Sequence, residues 1–525
     1  MVGCAAPQPR TAVFTVTQER AAAAASCQAD DFACRPAASA SCEATRRLAE
    51  HAKDSVVAID ERGRYTPVIY RLPMCGDQSS VSQPLPEDGC RTGSDQRIAD
   101  RHTECIIQHA DNIVAKMARP PAGKRYHLLL FVHGGLNAEQ GRLTRAFVDG
   151  NRILRDGAMA DVGGRSAGRI TADEVWYPLF VTWPSGGIQS YLDQRIHYNQ
   201  GDYESTFKRL SSPLYFLTDA VEAVVRAPVA WAESFSWVDL GQTPALTHVG
   251  DRIGCNQSMG FDCEPVGADD RPRWKEIAYW SPIGFVGRAI TVPAVDVAGQ
   301  PAWDAMLSRT RMLMRKPFNV DEFAAANGKI DGNADLWHLL NVISGLPEAQ
   351  QPAITLIGHS MGAIVVNEIL QNFPQLPYRS IVFMGAGASV RDTLAALDRV
   401  ARARGRNDLR FYNLSLHQDA EANEVGYFGT VSKGSLLEWV DRMYTTPATF
   451  ADRTVGKWIN AVMARGDFAR LQAQANLPAS FKRFGLSCSD PLMHTEFDEY
   501  DARPACPPRT PYWRPSFWVV SEGGS

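Results

Sequence analysis

The chain has 525 residues, 45% of them hydrophobic, with 54 basic side chains against 58 acidic ones and a formal net charge of −4. That length predicts about two to four domains and a sizeable core, and the charge balance excludes a broadly basic nucleic-acid-binding surface. No charge-free apolar run approaches the roughly 20 residues a membrane-spanning helix needs.

Residues 1–45, rich in Ala, Pro and Ser, read as a leader or tether. An N-terminal extension is predicted over 46–120. It comprises a helix at Ala44–Lys53, a strand at Val56–Ile59, a Pro/Gly/Ser-rich loop over Leu72–Ser94 and a helix from Arg97 to Met117. Pro120-Pro121-Ala122-Gly123 ends that helix. Tyr126–Val132 is an apolar run of the kind that forms strands buried on both faces of a parallel sheet. A helix is expected at Glu139–Arg155, and a second central strand at Val175–Thr182, running into Trp183-Pro184-Ser185-Gly186-Gly187. A third strand runs into Ser360, a fourth covers Ser380–Met384 and a fifth Leu409–Ser415, with helical patterns between them. Strand and helix alternate, which predicts an α/β chain with a doubly wound, mostly parallel sheet built from 121–184 and 301–525.

One connection is too long for a simple crossover. About 170 residues separate Trp183 from Ala353, where a dozen or so suffice. Residues 185–300 are therefore expected to form a large helical cap or lid insertion. It includes the apolar run Leu214–Phe235 and the aromatic-rich Trp274–Val297, with a further helix at Trp303–Met314. Ordinary packing onto the main domain is the expectation for those apolar helices; contact with lipid or an acyl chain is the alternative.

The eleven cysteines fall in an N-terminal block, near residue 260 and near the C-terminus. Cys27/Cys34, Cys75/Cys90, Cys255/Cys263 and Cys488/Cys506 are close enough in sequence to staple loop-rich decorations, including the N-terminal extension. That usage predicts an oxidising compartment.

Chemistry concentrates in Gly358-His359-Ser360-Met361-Gly362, which lies between an apolar β-branched run and a helical pattern. Gly-x-Ser-x-Gly at such a junction predicts a tight turn that exposes a nucleophilic serine at a helix N-terminus. Glycine is expected at 358 and 362 because a Cβ there would strike the neighbouring strand or helix. A serine hydroxyl needs a base, usually a histidine held by a carboxylate. His417 and His494 are the histidines beyond His359, and His494 in the C-terminal segment is the expected base. Asp419, four residues past the fifth strand, is the expected acid, with Glu421 and Asp392 as alternatives. Oxyanion donors are expected from the backbone N–H of Met361 and, in the His133-Gly134-Gly135 loop after the first central strand, of Gly135; His133 is read as orienting that loop.

Together these residues resemble the α/β-hydrolase superfamily of serine esterases and lipases, and the Trp183–Gly186 turn is similar to that of a poorly characterised bacterial branch. The resemblance covers roughly 125–185 and 300–500. It implies a carboxylic-ester hydrolase acting through an acyl-enzyme on Ser360, with His494 as base and a carboxylate near Asp419. The implied substrate is a small-molecule or lipid ester. It implies no cofactor, no metal and no nucleic-acid partner. An acyltransferase on the same scaffold and a non-catalytic envelope protein that retains the fold are the alternatives. Separately, Met1-Val2-Gly3-Cys4-Ala5-Ala6-Pro7 resembles the cleavage site of bacterial lipoproteins, whose cysteine is lipidated. This implies membrane-surface attachment through Cys4, an exported periplasmic or membrane-anchored location, and a signal segment ahead of Met1.

Overall fold

The structure, a computed structural model, describes residues 12–25, 41–60, 65–76, 79–83, 96–135, 139–156, 173–196, 198–199, 202–203, 206–239, 259–261, 269–270, 273–314, 335–404, 409–425, 431, 433–445, 447–500 and 506–520. Cys4, Cys27, Cys34, Cys90, Cys255 and Cys263, and with them the lipidation reading, lie outside the described residues.

Seven strands form the central sheet: β1 (Val56–Ala58), β2 (Arg125–Val132), β3 (Glu174–Thr182), β4 (Ile354–His359), β5 (Tyr378–Met384), β6 (Arg410–Ser415) and β7 (Ala479–Arg483). Their order is β7-β6-β5-β4-β2-β3-β1, and every neighbouring pair is parallel. The apolar runs explain the arrangement. In β2 successive side chains alternate between two cores: Leu128, Leu130 and Val132 enter one, Leu129 and Phe131 the other. The first core also holds Ile106 and Ile113 of helix α1 (Gln96–Met117), and the second holds Leu143 and Phe147 of α2 (Glu139–Asp156). Helices thus cover both faces, the α/β layering expected of a parallel sheet. The edge strand β7 (Ala-Ser-Phe-Lys-Arg) escaped the sequence reading because it is short and alternates with polar residues.

The N-terminal region belongs to this frame. β1 extends the sheet beside β3. Ala12–Thr15, within the expected leader, pairs parallel with Val68–Arg71, and Phe14 is buried 5.5 Å from the Phe147 ring of α2. Cys75 is bonded to Cys42, not to its sequence neighbour Cys90; Cys488–Cys506 forms as the spacing suggests. The Cys42–Cys75 bridge fastens helix Cys42–Ala52 to the turn after Val68–Arg71, two segments that share the second core, so three-dimensional packing overrode sequence proximity.

The long connection between β3 and β4 is mostly helical where it is described: α3 (Gly187–Ile196), α4 (Thr206–Asp239), α5 (Arg273–Trp280) and α6 (Pro282–Leu313), with a further helix at Asp335–Ser344 and a short antiparallel pair, Tyr198–Asn199 with Asp202–Tyr203. α4 and α6 lie side by side, with Trp231 Nε1 donating to Ala289 O at 3.1 Å and Arg226 paired to Asp296 at 3.1 Å. The separate helix expected at Trp303–Met314 is the end of α6, which continues through Pro293 and Pro301. Each proline removes one helical donor, but Pro293, Ala302 and Trp303 are buried, and that packing carries the helix across the breaks. Packing onto the main domain accounts for only one side of these helices; the opposite side of α4 and of α5–α6 is exposed and apolar.

Candidate active site

β4 stops at His359 and helix α7 (Gly362–Asn372) starts after two intervening residues, so the chain reverses within Ser360 and Met361. Ser360 absorbs the turn with φ 53°, in the left-handed region that side chains other than glycine avoid. Two backbone bonds hold it there: Ser360 N donates to Met384 O at 2.9 Å, and Gly387 N donates to Ser360 O at 2.8 Å. The flanking glycines are required by space. A Cβ at Gly362 would lie 2.1 Å from Val132 O of β2, and one at Gly358 would lie 2.8 Å from Ala363 Cα of α7. Strand and helix are thus the two obstacles, as the sequence reading expects.

His494, in the C-terminal segment after β7, meets Ser360: its Nε2 lies 2.8 Å from Ser360 Oγ, and both side chains are buried. Burial pushes the imidazole down to about 4, so the ring is neutral at pH 7 and can take a proton. The ring packs on Gly385, where a Cβ would come within 3.0 Å of Cε1 and Nδ1. Its backbone is clamped on both sides. His494 N donates to Glu424 Oε2 at 2.9 Å, and His494 O accepts from His359 Nε2 at 3.0 Å. His359 Nδ1 in turn faces Asp498 Oδ2 at 3.2 Å, and Asp498 is paired with Arg145. Burial, with the His494 ring and the Arg145 charge nearby, pulls the His359 ring well below its ordinary pKa, and the bond to His494 O opposes the shift. His494 Nδ1 itself makes no hydrogen bond.

The loop after β2 lies against the serine because β2 and β4 are paired, with Val132 opposite Gly358. A Cβ at Gly134 would fall 2.7 Å from Ser360 Cβ, and one at Gly135 3.3 Å from Met361 Sδ. His133 sets the loop's orientation. Its Nε2 accepts from Trp183 N at 3.1 Å, which leaves the proton on Nδ1 to donate to Gly134 O at 2.6 Å. Burial and the Arg142 charge hold the ring neutral, with its pKa near 3. Ser185 Oγ donates to the same carbonyl at 3.1 Å. In a trans peptide the carbonyl of Gly134 and the N–H of Gly135 point in opposite directions. Tying the oxygen to His133 and Ser185 therefore turns the Gly135 N–H away from them. Arg309 of α6 donates to Pro184 O at 3.0 Å and to Ser190 Oγ at 2.8 Å, fastening the Trp183–Ser185 turn to the helical connection.

No family model matches this chain, and no curated protein or solved structure matches it.

Of the residues expected from sequence, Ser360, His494, Met361 and Gly135 come together at the carboxyl ends of adjacent strands, where open α/β sheets bind ligands. None of the acid candidates is hydrogen-bonded to His494 Nδ1. Asp419 lies at the start of the short helix α8 (Gln418–Ala422), with its carboxylate 3.7 Å from His417 Nδ1. Glu421 is buried, bonded by Ser435 Oγ at 2.9 Å and pushed up to about 8 by burial. Asp392 lies in the first turn of helix Val390–Arg404. The carboxylate that touches His494 is Glu424, just beyond α8. Glu424 lies beyond the first acidic residues after β6, and α8 carries the chain one turn further before it reaches the histidine. Among the described residues no group of three or more His, Cys, Asp and Glu side chains could hold a metal ion.

Proposed function

We propose that this chain is a serine hydrolase of the α/β-hydrolase type that cleaves carboxylic esters through an acyl-enzyme on Ser360, with the helices of 187–313 as its cap. The observation that carries the reading is the 2.8 Å contact between Ser360 Oγ and a buried, neutral His494 Nε2, at a serine held with φ 53° between a strand and a helix. In this mechanism Oγ attacks the ester carbonyl carbon as its proton passes to His494 Nε2. The carbonyl oxygen becomes an oxyanion facing the N–H groups of Gly135 and Met361. Collapse breaks the bond to the leaving alkoxide, which receives the proton from Nε2. Water then repeats the sequence on the acyl carbon, releasing the carboxylic acid and regenerating Ser360.

Glu424 is the acid in this proposal. Its Oε2 accepts the main-chain N–H of His494, and in this proposal the carboxylate turns to the ring Nδ1, which must carry a proton while Nε2 acts as base. The disulfides suit an oxidising compartment and support an exported, periplasmic protein. The test is hydrolysis of p-nitrophenyl esters of increasing chain length by wild type and Ser360→Ala. Turnover by wild type that Ser360→Ala lacks is the expected result; equal rates for the two proteins would refute the proposal.

A further inference from the structure

Sixteen large apolar side chains stand exposed among the described residues, and thirteen of them lie on the connection: seven on α4 and six on α5–α6. On α4 they recur at helical spacing, as at Leu217, Val221, Val224 and Val225, so they form one stripe. On α6, Ile283, Val286 and Ile290 continue it, with Ile283 80% and Ile290 71% exposed. Together they expose on the order of 1,000 Å² of apolar surface, beyond the few hundred Å² a soluble monomer usually leaves open.

Along 277–300 the charges are turned the other way. From Ile277 to Gln300 no exposed residue is charged. Arg288 is buried, its guanidinium 3.6 Å over the Tyr279 ring. Asp296 is buried against Arg226, and Asp219 of α4 against Arg195. A water-facing helix pair places such groups outward; here Asp219, Arg288 and Asp296 are inside, and Glu222 is the one exposed charge within 214–231 of α4.

We propose that this face seats on the hydrocarbon boundary of a lipid bilayer and delivers lipid-borne esters to Ser360. A second copy of the chain fits it less well. Protein interfaces carry roughly one hydrogen bond per 100–200 Å², whereas on the exposed side of 277–294 the Trp280 indole is the one side chain with a polar atom. Trp231, the other exposed indole, is already bonded to Ala289 O. Tryptophans edging an apolar face are what a membrane–water interface selects. Among the described residues no helix is long and apolar enough to cross a membrane; the seating is on one leaflet. The face also reaches the candidate site. The same α6 ends beside it, with Met306 Sδ 3.6 Å from where a Gly135 Cβ would be, and Arg309 holding the turn that fixes the oxyanion loop. The docking claim stands on the surface alone; the delivery claim rests on the ester-hydrolase reading.

Flotation of the full chain with phosphatidylcholine vesicles tests this, with fluorophosphonate labelling of Ser360 followed on the same samples. Wild type should float, and Ile283→Asp/Ile290→Asp should lose about tenfold or more in partitioning. Val224→Asp/Val225→Asp, on the other helix, should do the same, so a folding defect in one pair leaves the other to decide. The turnover ratio of vesicle-borne to soluble short-chain ester should fall by a similar factor. Failure of wild type to float would overturn the proposal. So would binding that needs phosphatidylglycerol and disappears in salt, or a concentration-dependent dimer that the same substitutions dissolve. Flotation without labelling would leave docking standing and remove the hydrolase reading; labelling without flotation would do the reverse.

Discussion

The turns above the sheet and the helices of 187–313 solve opposite problems. At the turns between β4 and the C-terminal segment, side chains are buried and their polar atoms are fixed by short, named bonds: Ser360 to His494, His494 to Glu424 and His359, Gly134 to His133 and Ser185. On α4 and α6 Asp219, Arg288 and Asp296 are buried while large apolar side chains stand exposed. The contrast teaches that the chain separates chemistry from contact. One region holds a serine and a histidine among buried, bonded groups; the other presents apolar side chains outward.

The sharpest way to break the comparison is to cut the turns. His494→Ala should lower ester turnover roughly 10⁴-fold or more while the melting temperature changes little; near-normal kcat would move the base elsewhere. Glu424→Gln should lower kcat by about 10²–10⁴-fold, and Asp419→Asn, at a carboxylate directed to His417, by far less. If Asp419→Asn proved the damaging one, the assignment of the acid to Glu424 would be wrong.

The buried histidines predict how acid affects the fold. His133, His109 and His494 have pKa values lowered to about 3, 4 and 4, against 6.5 when unfolded. The unfolded chain therefore binds protons at these positions that the folded chain does not. Their neutral burial is unpenalised above pH 6.5, and stability is lost as pH falls from there toward 4. Thermal unfolding followed from pH 7.5 to 4.5 should show a declining melting temperature, and a melting temperature constant over that range would contradict the burial of neutral rings. The smallest effect belongs to the helices. Ile283→Asp should change stability by no more than about 0.5 kcal/mol in vesicle-free buffer, whereas Ile357→Asp, fully buried in β4, should prevent folding. Solubility and calorimetry compare the two directly.

What the sequence revealed follows the same division. Strands such as Tyr126–Val132 and Val175–Thr182 were legible because burial on both faces leaves an unbroken apolar run, and the observed β2 and β3 begin one residue earlier. Ser360 and both flanking glycines were legible because a tight turn leaves a fixed spacing. The Glu424 contact was not, because a short helix between β6 and Glu424 changes which carboxylate reaches the His494 main chain without altering any local pattern. Asp498, which faces His359, lies 139 positions away in sequence and carries no signal there. The outward apolar faces were equally hidden: Leu214–Phe235 reads the same whether it is buried by protein or presented to lipid.

The central claim is that Ser360 is an activated nucleophile. Intact mass spectrometry after exposure to a fluorophosphonate tests it most directly. Wild type should gain the mass of one adduct, mapped to the Ser360 peptide, and Ser360→Ala should gain none. Unmodified wild type, or equal modification of the two proteins, would contradict it.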